Sequence, residues 1–467
     1  MPGDLAVRLY QSIPPKAGSE GTIYGSNQEV YLKIEKELKD RIQDIEEVHL
    51  ALYLFNNTRL YQVLRDLAKT ASVIVTSTPL SAYDERKIAT AKKIYEDLAK
   101  RYEPAEAGRN PDLLIYPHMY IWYGAEYAEA EASYSFHIKA GYVLYKDGSC
   151  KLILTSCNMS PGDPYHSELA VVLEDHSGSS AYSEAFKRFF QILESLAVPW
   201  KEYNAFTKDL ADELQTVFAF TFIGKQGLQD WCGNTTNLAF FTGPFITICG
   251  EGSTRYARKK IVEAIKKAER RIYVCAQHAH DLSPFNGYEG ATLIEALRAK
   301  KFENPSIEVK LLKQVSSKGL ADKRRAAFVE CHLSYAGVAQ RVNKLVHDKF
   351  VIADDIVIVS TGNFTATQFA WGDRQMELKV KEDIQNVKNT VNSALKLYKH
   401  DANLVEVIPV QHRKGVAAKT TRIKKNDIFA EVNGFIVIED GELADFLARH
   451  FENLWQHNLS QDVEVPR

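Results

Sequence analysis

The chain has 467 residues, about three times the length of an ordinary domain, so several domains or one duplicated unit are expected. Hydrophobic residues make up 45% of the chain and charged residues 25%, which excludes a disordered or collagen-like protein. The 58 Lys and Arg residues nearly balance the 60 Asp and Glu residues. The resulting net charge of −2 argues against a uniformly basic protein that coats nucleic acid, but not against a local basic groove.

Cysteine usage and hydropathy indicate the compartment. None of the 6 cysteines forms a Cys-x-x-Cys pair, so reduced thiols are expected rather than a zinc knuckle or a disulfide framework. The first 11 residues carry charges and lack the apolar core of a secretory signal. The longest uncharged stretch, Trp231 to Gly250, contains Asn, Gly and Pro, which favours a buried strand over a membrane span. We therefore expect a cytoplasmic protein, or a nuclear one in a eukaryote, without stable membrane insertion.

The predicted elements follow one order twice. In the first half, hydrophobic periodicity predicts a strand, a helix, a strand, a helix and a strand at Leu5–Tyr10, Val30–Ile45, Val48–Phe55, Leu60–Lys69 and Ser72–Thr76. In the second half, the same order is predicted at Leu238–Phe241, Ala257–Arg270, Ile272–Ala276, Ala291–Ala299 and Ile307–Leu312. This alternation predicts an α/β fold of two similar halves, 1–200 and 235–467, joined by a structured connection at 201–234.

Each half also contains His-x-Lys in a strand pattern. The pairs are His137 with Lys139, and His347 with Lys349. On a strand, residues i and i+2 face the same side, so each pair presents an imidazole and an ammonium together. One such pair alone is a weak signal, because it occurs by chance on many surfaces. Two pairs in matching halves are a strong one.

A second strand follows each pair and ends in a polar turn, at Asn158 in the first half and Asn363 in the second. Each separation fits a hairpin that returns Asn beside its His. Two ammoniums and two amides can hold the oxygens of one phosphodiester. One neutral imidazole can then attack phosphorus while the other, protonated, gives its proton to the leaving oxygen. The positive side chains supply charge stabilisation, so neither a metal nor a cofactor is required.

With these motifs the sequence resembles the phospholipase D superfamily. The second half fits its HxKxxxxD signature through His347, Lys349 and Asp354, whereas Leu144 takes the matching acidic position in the first half. That loss, the segment TSCNMS after the first hairpin and the segment NFTATQFAWG from Asn363 are similar to the tyrosyl-DNA phosphodiesterase branch. The resemblance implies mixed β-sheets flanked by helices, a pseudo-twofold axis with one active site between the halves, and a covalent phosphohistidine intermediate. By the same analogy His137 is assigned as the nucleophile.

The family also places a carboxylate after each Asn turn, where it orients a catalytic histidine. Glu168 matches this position in the first half. In the second half Glu377 and Glu431 compete, and we prefer Glu431 because a strand and a helix follow it, as in the family. This choice makes residues 364–428 partly an insertion. Ordinary solvated charges are the alternative for both residues.

A basic segment lies within that insertion. Between Ile408 and Lys425 there are six basic residues and no acid: Arg413, Lys414, Lys419, Arg422, Lys424 and Lys425. Its Gly, Ala and Thr content predicts a flexible loop, either one that touches a polyanion or one that is simply solvated. Elsewhere, His278, His280 and Asp281 resemble the start of a metal site, but their spacing fails and no metal is expected.

The sequence thus predicts a metal-independent phosphodiesterase of nucleic acid, a nuclease or an end-processing enzyme, with DNA favoured over RNA by the resemblance. A phospholipid hydrolase or phosphatidyl transferase is the rival enzyme. A catalytically silent nucleic-acid-binding module is the rival from another class, although it would have no chemical need for both His-x-Lys pairs. Since both motifs lie in one chain, a monomer could hold a complete site.

Overall fold

A computed structural model describes the chain at residues 5–14, 26–78, 85–100, 110–116, 120–123, 136–159, 166–200, 216–219, 230–231, 238–243, 246–281, 291–314, 320–365, 368–369, 376–380, 406–410, 419–424 and 431–463. Most of the predicted connection at 201–234, together with Arg413, Lys414 and Lys425, lies outside these residues. No helix among the described residues is long and apolar enough to cross a membrane.

The first half is built on an eight-stranded sheet. In chain order its strands are β1 (Leu5–Gln11), β2 (Ile45–Leu52), β3 (Ser72–Ser77), β4 (Asp112–Ile115), β6 (Lys139–Tyr145), β7 (Cys150–Thr155), β8 (Leu169–Asp175) and β9 (Val198–Pro199). The helices of this half are α1 (Ser26–Lys39), α2 (Thr58–Leu67), α3 (Glu85–Lys100) and α4 (Ala181–Leu196), with a short 3₁₀ turn at Ile42–Asp44. The spatial order of the strands is β1-β8-β7-β6-β2-β3-β4-β9.

The second half repeats this plan. Its sheet contains β12 (Leu238–Thr242), β15 (Arg271–Ala276), β16 (Glu308–Lys313), β17 (Ala339–Val342), β18 (Lys349–Ala353), β19 (Ile356–Ser360), β23 (Asn433–Glu439) and β24 (Gln461–Asp462). Its helices are α5 (Ser253–Lys267), α6 (Leu293–Glu303), α7 (Leu320–Tyr335) and α8 (Gly441–Trp455). The spatial order is β12-β23-β19-β18-β15-β16-β17-β24, which matches the first sheet strand for strand.

Both sheets are mixed in the same places. The three strands alternating with helices, β2-β3-β4 and β15-β16-β17, pair in parallel. The hairpins β6-β7 and β18-β19 pair antiparallel and lie beside the first strand of each parallel set. The duplicated α/β fold predicted from the sequence is confirmed, and its hairpins carry the two His-x-Lys motifs at equivalent positions.

Three smaller sheets complete the structure. They consist of β5 (Tyr120–Tyr123) with β10 (Thr216–Ala219), of β11 (Asp230–Trp231), β13 (Thr247–Ile248) and β14 (Glu251–Gly252), and of β20 (Met376–Val380), β21 (Glu406–Val410) and β22 (Lys419–Lys424). The last of these lies within the predicted insertion.

One apolar core joins the halves. Phe189 on α4 stacks on Phe241 of β12, with ring centroids 4.0 Å apart and planes 9° apart. Tyr182, also on α4, donates its hydroxyl to the Val437 carbonyl at 2.9 Å. Gly434 sits where a side chain would collide with Leu154 and Ile138 of the other half, so the sheets approach closely there. Buried aromatic stacking adds about 0.5–1.5 kcal/mol per pair beyond area burial, which favours a fixed arrangement of the halves.

Candidate active site

The two His-x-Lys motifs meet where the halves cross. Two short parallel bridges connect them: Phe136 pairs with Val432, and Ser167 pairs with Val346. In each bridge, the residue before a motif histidine pairs with a residue that lies just ahead of a strand of the other half. That strand is β23 for Phe136 and β8 for Val346. This reciprocal exchange is what a pseudo-twofold relation produces, and it places His137 and His347 at the same boundary.

The two motif lysines have the same geometry. Lys139 begins β6 and donates its Nζ to the His137 carbonyl at 2.8 Å, and Lys349 begins β18 and donates to the His347 carbonyl at 2.6 Å. Both lysines are fully buried. Each lysine thus holds its Nζ in the same position relative to its own histidine. The ring of Tyr53 also lies beside Lys139, with its centroid 5.1 Å from Nζ.

His347 is held by a carboxylate from the other half. Its Nδ1 lies 2.8 Å from Oε1 of Glu168, and both side chains are buried. The second oxygen of Glu168 accepts a hydrogen bond from the Ser156 hydroxyl. A carboxylate in this position fixes the tautomer with hydrogen on Nδ1, leaves Nε2 for chemistry and stabilises the imidazolium. Glu168 therefore contacts a motif histidine, and its part in catalysis stays a prediction.

The position in the second half that corresponds to Glu168 holds an amide, not a carboxylate. The last residues of β7 and β19 are equivalent, and they pair with Ala170 and Phe435 respectively. Glu168 lies two residues before Ala170, and Asn433 lies two residues before Phe435. Glu168 and Asn433 are therefore equivalent. The neighbouring bonds agree, because the Thr361 hydroxyl donates to Asn433 Oδ1 at 3.1 Å as Ser156 does to Glu168. Nδ1 of His137 is buried and has no hydrogen-bond partner among the described residues.

The preference for Glu431 as the carboxylate that orients a histidine is therefore wrong in detail. Glu431 lies two residues before the equivalent position, and its Oε2 accepts from the Asn433 amide at 3.2 Å. The sequence pattern of strand and helix was correct, but a two-residue offset in register cannot be seen in it. The charge of Glu431 nevertheless reaches the site, since it acts on Lys139.

The electrostatics of the site favour a neutral His137. Burial of the ring lowers the pKa of His137 well below its ordinary value, and the charges of Lys139 and Lys349 lower it further. The Thr361 backbone opposes these effects only in part. A neutral imidazole keeps a lone pair, which a nucleophile requires. The two histidines thus occupy different environments: His137 among positive charges, and His347 against Glu168.

The pKa of Lys139 is lowered by the same two causes, burial and neighbouring positive charge. Burial lowers the pKa of Lys139 well below its usual value, and the charge of Lys349 adds to this effect, while Glu168 and Glu431 oppose it. An anion bound between the two lysines would restore the charged form of Lys139.

We expect binding of inorganic phosphate or tungstate to take up protons and to tighten as the pH falls. Calorimetry in two buffers of different ionisation enthalpy measures this uptake. A Lys139→Gln variant should take up fewer protons, and equal heats in both buffers would contradict the assignment.

The two turn asparagines lie at equivalent positions. Asn158 and Asn363 each follow their strand by three residues, after β7 and β19 respectively. The registers of β6-β7 and β18-β19 return both turns to the end of the sheet where the motif histidines lie. Oδ1 of Asn363 accepts the His278 amide at 3.2 Å, which ties this turn to the end of β15.

Asp354, the acidic residue of the HxKxxxxD signature, lies away from the chemistry. It follows the end of β18, which begins at Lys349, so roughly 16 Å of strand separates the two residues. Its carboxylate accepts the amides of Glu269, Arg270 and Arg271 at 2.7, 2.9 and 2.9 Å. Burial raises the pKa of Asp354, but these bonds outweigh it and the net shift is downward. Its role is structural, which explains why Leu144 can replace it in the first half.

Asp354→Asn should therefore destabilise the fold without slowing the reaction. Asn keeps the left-handed backbone, φ +54°, but can accept fewer of the three amides and has no charge. We expect a loss of about 1–2 kcal/mol in denaturant unfolding and an unchanged kcat. A fall in kcat with unchanged stability would return Asp354 to the active site.

The remaining candidates lie in the insertion. Glu377 belongs to β20 and is paired in register with Arg422 of β22, not with the sheet that carries His347. The prediction of a flexible basic loop is wrong for Lys419–Lys424, which forms the central strand of this small sheet. The alternation of KTTRIK with its Thr and Ile residues explains the strand.

Several residues of the site were not predicted. Asn433, Ser156 and Tyr53 are single residues whose roles depend on sheet register, and nothing in the sequence distinguishes them. His166 lies two residues before Glu168, but it belongs to no motif that would have indicated a role. Among the described residues no group of three or more His, Cys, Asp or Glu side chains could hold a metal ion. Asp281 instead pairs with Arg258 at 2.6 Å.

Comparison with known proteins gives matches in structure alone. No family model and no curated protein matches the sequence. The chain is similar to a polyphosphate kinase from Porphyromonas gingivalis (9% identity, 97% of this chain and 50% of that chain, TM-score 0.46), so it spans half the length of that protein. It is also similar to phosphatidylserine synthase from Haemophilus influenzae Rd KW20 (10% identity, 99% and 88%, TM-score 0.49). A third match is Nuc from Salmonella typhimurium, a phospholipase D family member (17% identity, 44% and 91%, TM-score 0.24).

The duplicated α/β halves bring the two His-x-Lys motifs together at their boundary. The resemblance to the phospholipase D superfamily rests on these motifs and on the repeated order of the elements, because TM-scores below 0.5 show no more than a similar fold. Identities of 9–17% do not carry any of the three activities to this chain.

Proposed function

We propose that this protein is a metal-independent phosphodiesterase that hydrolyses nucleic-acid phosphodiester bonds through a covalent phosphohistidine. The observation that supports this most is the cross-half bond between His347 and Glu168, beside two buried lysines and a second histidine. This set contains a proton donor, a nucleophile and two cations, which are the groups that phosphoryl transfer needs.

In the first step neutral His137 attacks phosphorus and forms a P–N bond. The P–O bond to the leaving group breaks, and the imidazolium of His347 gives its Nε2 proton to the leaving oxygen. Glu168 on Nδ1 stabilises that imidazolium before the transfer. The low pKa of His137 supplies the lone pair for attack.

In the second step water replaces the leaving group. Neutral His347 takes a proton from the water, the water oxygen attacks phosphorus, and the P–N bond to His137 breaks. Both histidines return to their starting protonation states. Lys139 and Lys349, together with the amides of Asn158 and Asn363, hold the phosphoryl oxygens while charge builds on them.

Nucleic acid is favoured as the substrate by the basic composition of β22 in the insertion. Lys419, Arg422 and Lys424 lie on β22 with no acidic residue in that strand. The resemblance of the segments TSCNMS and NFTATQFAWG to the tyrosyl-DNA phosphodiesterase branch points the same way, and it favours DNA over RNA.

A substrate panel tests this function. Labelled single-stranded DNA, duplex DNA, RNA, a 3′-tyrosyl oligonucleotide and phosphatidylcholine are each incubated with the protein in EDTA. We expect cleavage of a nucleic-acid substrate that EDTA does not inhibit. Cleavage of the lipid alone would contradict the proposal and favour a lipid enzyme. Nucleic-acid binding without cleavage of any substrate would favour a binding module.

The basic strand gives a separate prediction. Replacing Lys419, Arg422 and Lys424 by Gln should weaken DNA binding and reduce the slope of log K against log salt by up to about 2–3, because each phosphate contact contributes about 0.7–0.9. The matched control neutralises Lys33, Lys36 and Lys267, which are exposed on helices. An unchanged slope in the β22 variant would exclude this strand as a phosphate contact.

A further inference from the structure

A third histidine lies beside His347 and has no part in the mechanism above. The ring of His166 lies 5.6 Å from that of His347, centroid to centroid, with the planes 36° apart. Its position is fixed by the next residue. The Ser167 amide donates to the Leu345 carbonyl at 2.7 Å, and the Ser167 hydroxyl accepts the His347 amide at 3.2 Å. The backbone thus holds His166 against the proton donor.

One polar atom of this ring makes no hydrogen bond within the described part of the fold. Nδ1 of His166 is buried and has no hydrogen-bond partner among the described residues. A buried polar atom without a partner costs free energy, which a ligand oxygen can recover. The neighbouring ring of His347, which the proposed mechanism takes as an imidazolium, favours an oxygen-bearing anion or alcohol as that ligand.

The other half holds a different group at this position. By the same register that equates Glu168 with Asn433, His166 is equivalent to Glu431. His166 lies directly before Ser167, which pairs with the residue before His347. Glu431 lies directly before Val432, which pairs with the residue before His137. The two halves therefore carry an imidazole and a carboxylate at equivalent positions, and the imidazole lies beside the proton donor. This asymmetry gives the two sides of the phosphate different recognition groups.

We propose that His166 is a substrate-binding residue that contacts the leaving portion of the substrate through a hydrogen bond to one of its oxygens. The proposal rests on the proposed function, because it takes His347 as the donor to the leaving oxygen. The ring centroid of His166 lies 5.6 Å from that of His347, so His166 adjoins the group that leaves. In the second step the same place receives the incoming water.

The kinetic test compares two leaving groups. One substrate is the oligonucleotide that the wild type cleaves, and the other is bis(p-nitrophenyl) phosphate, whose leaving group needs little help. His166→Ala should lower kcat/KM for the oligonucleotide about 10- to 100-fold, the effect of one hydrogen bond to a polar or charged group, and change that for the nitrophenyl ester far less. His166→Gln, which keeps a donor and an acceptor, should recover part of the loss. His176→Ala, an exposed histidine after the same strand, is the control and should match the wild type.

Equal losses on both substrates, or no loss on either, would overturn the proposal while leaving the proposed function intact. A second measurement does not depend on turnover. Orthovanadate places an apical oxygen where the leaving oxygen stands, and ¹⁵N NMR of the imidazoles follows its binding. We expect the His166 resonances to shift and those of His176 to stay. An unshifted His166 in the presence of bound vanadate would overturn the proposal even if the natural substrate is not nucleic acid.

Discussion

Alanine at His137 is expected to abolish turnover of every phosphodiester that the wild type cleaves. The reason is that no other described group can replace the P–N bond it forms. Alanine at His347 removes the proton donor and should lower kcat by about 10²- to 10⁴-fold for poor leaving groups. Steady-state rates with an oligonucleotide and with a nitrophenyl diester measure both effects.

The two variants should differ in one diagnostic way. The loss in His347→Ala should shrink for the nitrophenyl diester, because nitrophenolate leaves without a proton, whereas the loss in His137→Ala should be complete for both substrates. His176→Ala serves as the control for a general effect of removing an imidazole. Equal residual rates in the two variants would mean that the roles of the histidines are not divided in this way.

Glu168→Gln is the second change with a large expected effect. Gln can still accept a hydrogen bond from Nδ1 of His347, so the ring stays in place, but the charge that stabilises the imidazolium is gone. Loss of the corresponding charge in a serine protease triad costs about 10⁴-fold in kcat, and we expect a fall of about 10³- to 10⁴-fold here. The pH profile of kcat measures the same change, since less of His347 will be protonated at a given pH.

Two other carboxylates provide the comparison. Glu431→Gln should have a smaller effect, because Glu431 bonds to Asn433 and not to a motif histidine. Glu174→Gln, on β8, which begins directly after Glu168, is in an ion pair with Arg8 and should leave kcat unchanged. If Glu168→Gln behaved like Glu174→Gln, the cross-half pair would be structural and the proposed division of roles would fail.

The sequence was sufficient for features that repeat or that depend on side-chain periodicity. The strands and helices of both halves, the two His-x-Lys pairs and the Asn turns follow from local pattern, and the structure places them as expected. It was insufficient where the outcome depends on register between distant strands. Glu431 was preferred over Glu377, and Asn433 was not considered, because a two-residue offset leaves the pattern of strand and helix unchanged.

Asp354 shows what motif matching leaves open. Asp354 completes the HxKxxxxD signature, yet its spacing of five residues from Lys349 places it at the far end of a strand, where it binds three backbone amides. Strand geometry alone, at about 3.3 Å per residue, excludes contact with the same phosphate. The pairing of Glu168 with a histidine of the opposite half also lay beyond the sequence, which shows the two halves in order but not how they cross.

The measurement that tests the central claim most directly is the location of the phosphoryl group in a trapped intermediate. The His347→Ala variant is mixed with a nitrophenyl diester, quenched in alkali, where phosphohistidine persists, and its peptides are examined by mass spectrometry. We expect the substrate-derived phosphoryl group on the peptide that contains His137. An adduct on another residue in the wild type, or unimpaired turnover by His137→Ala, would contradict the account.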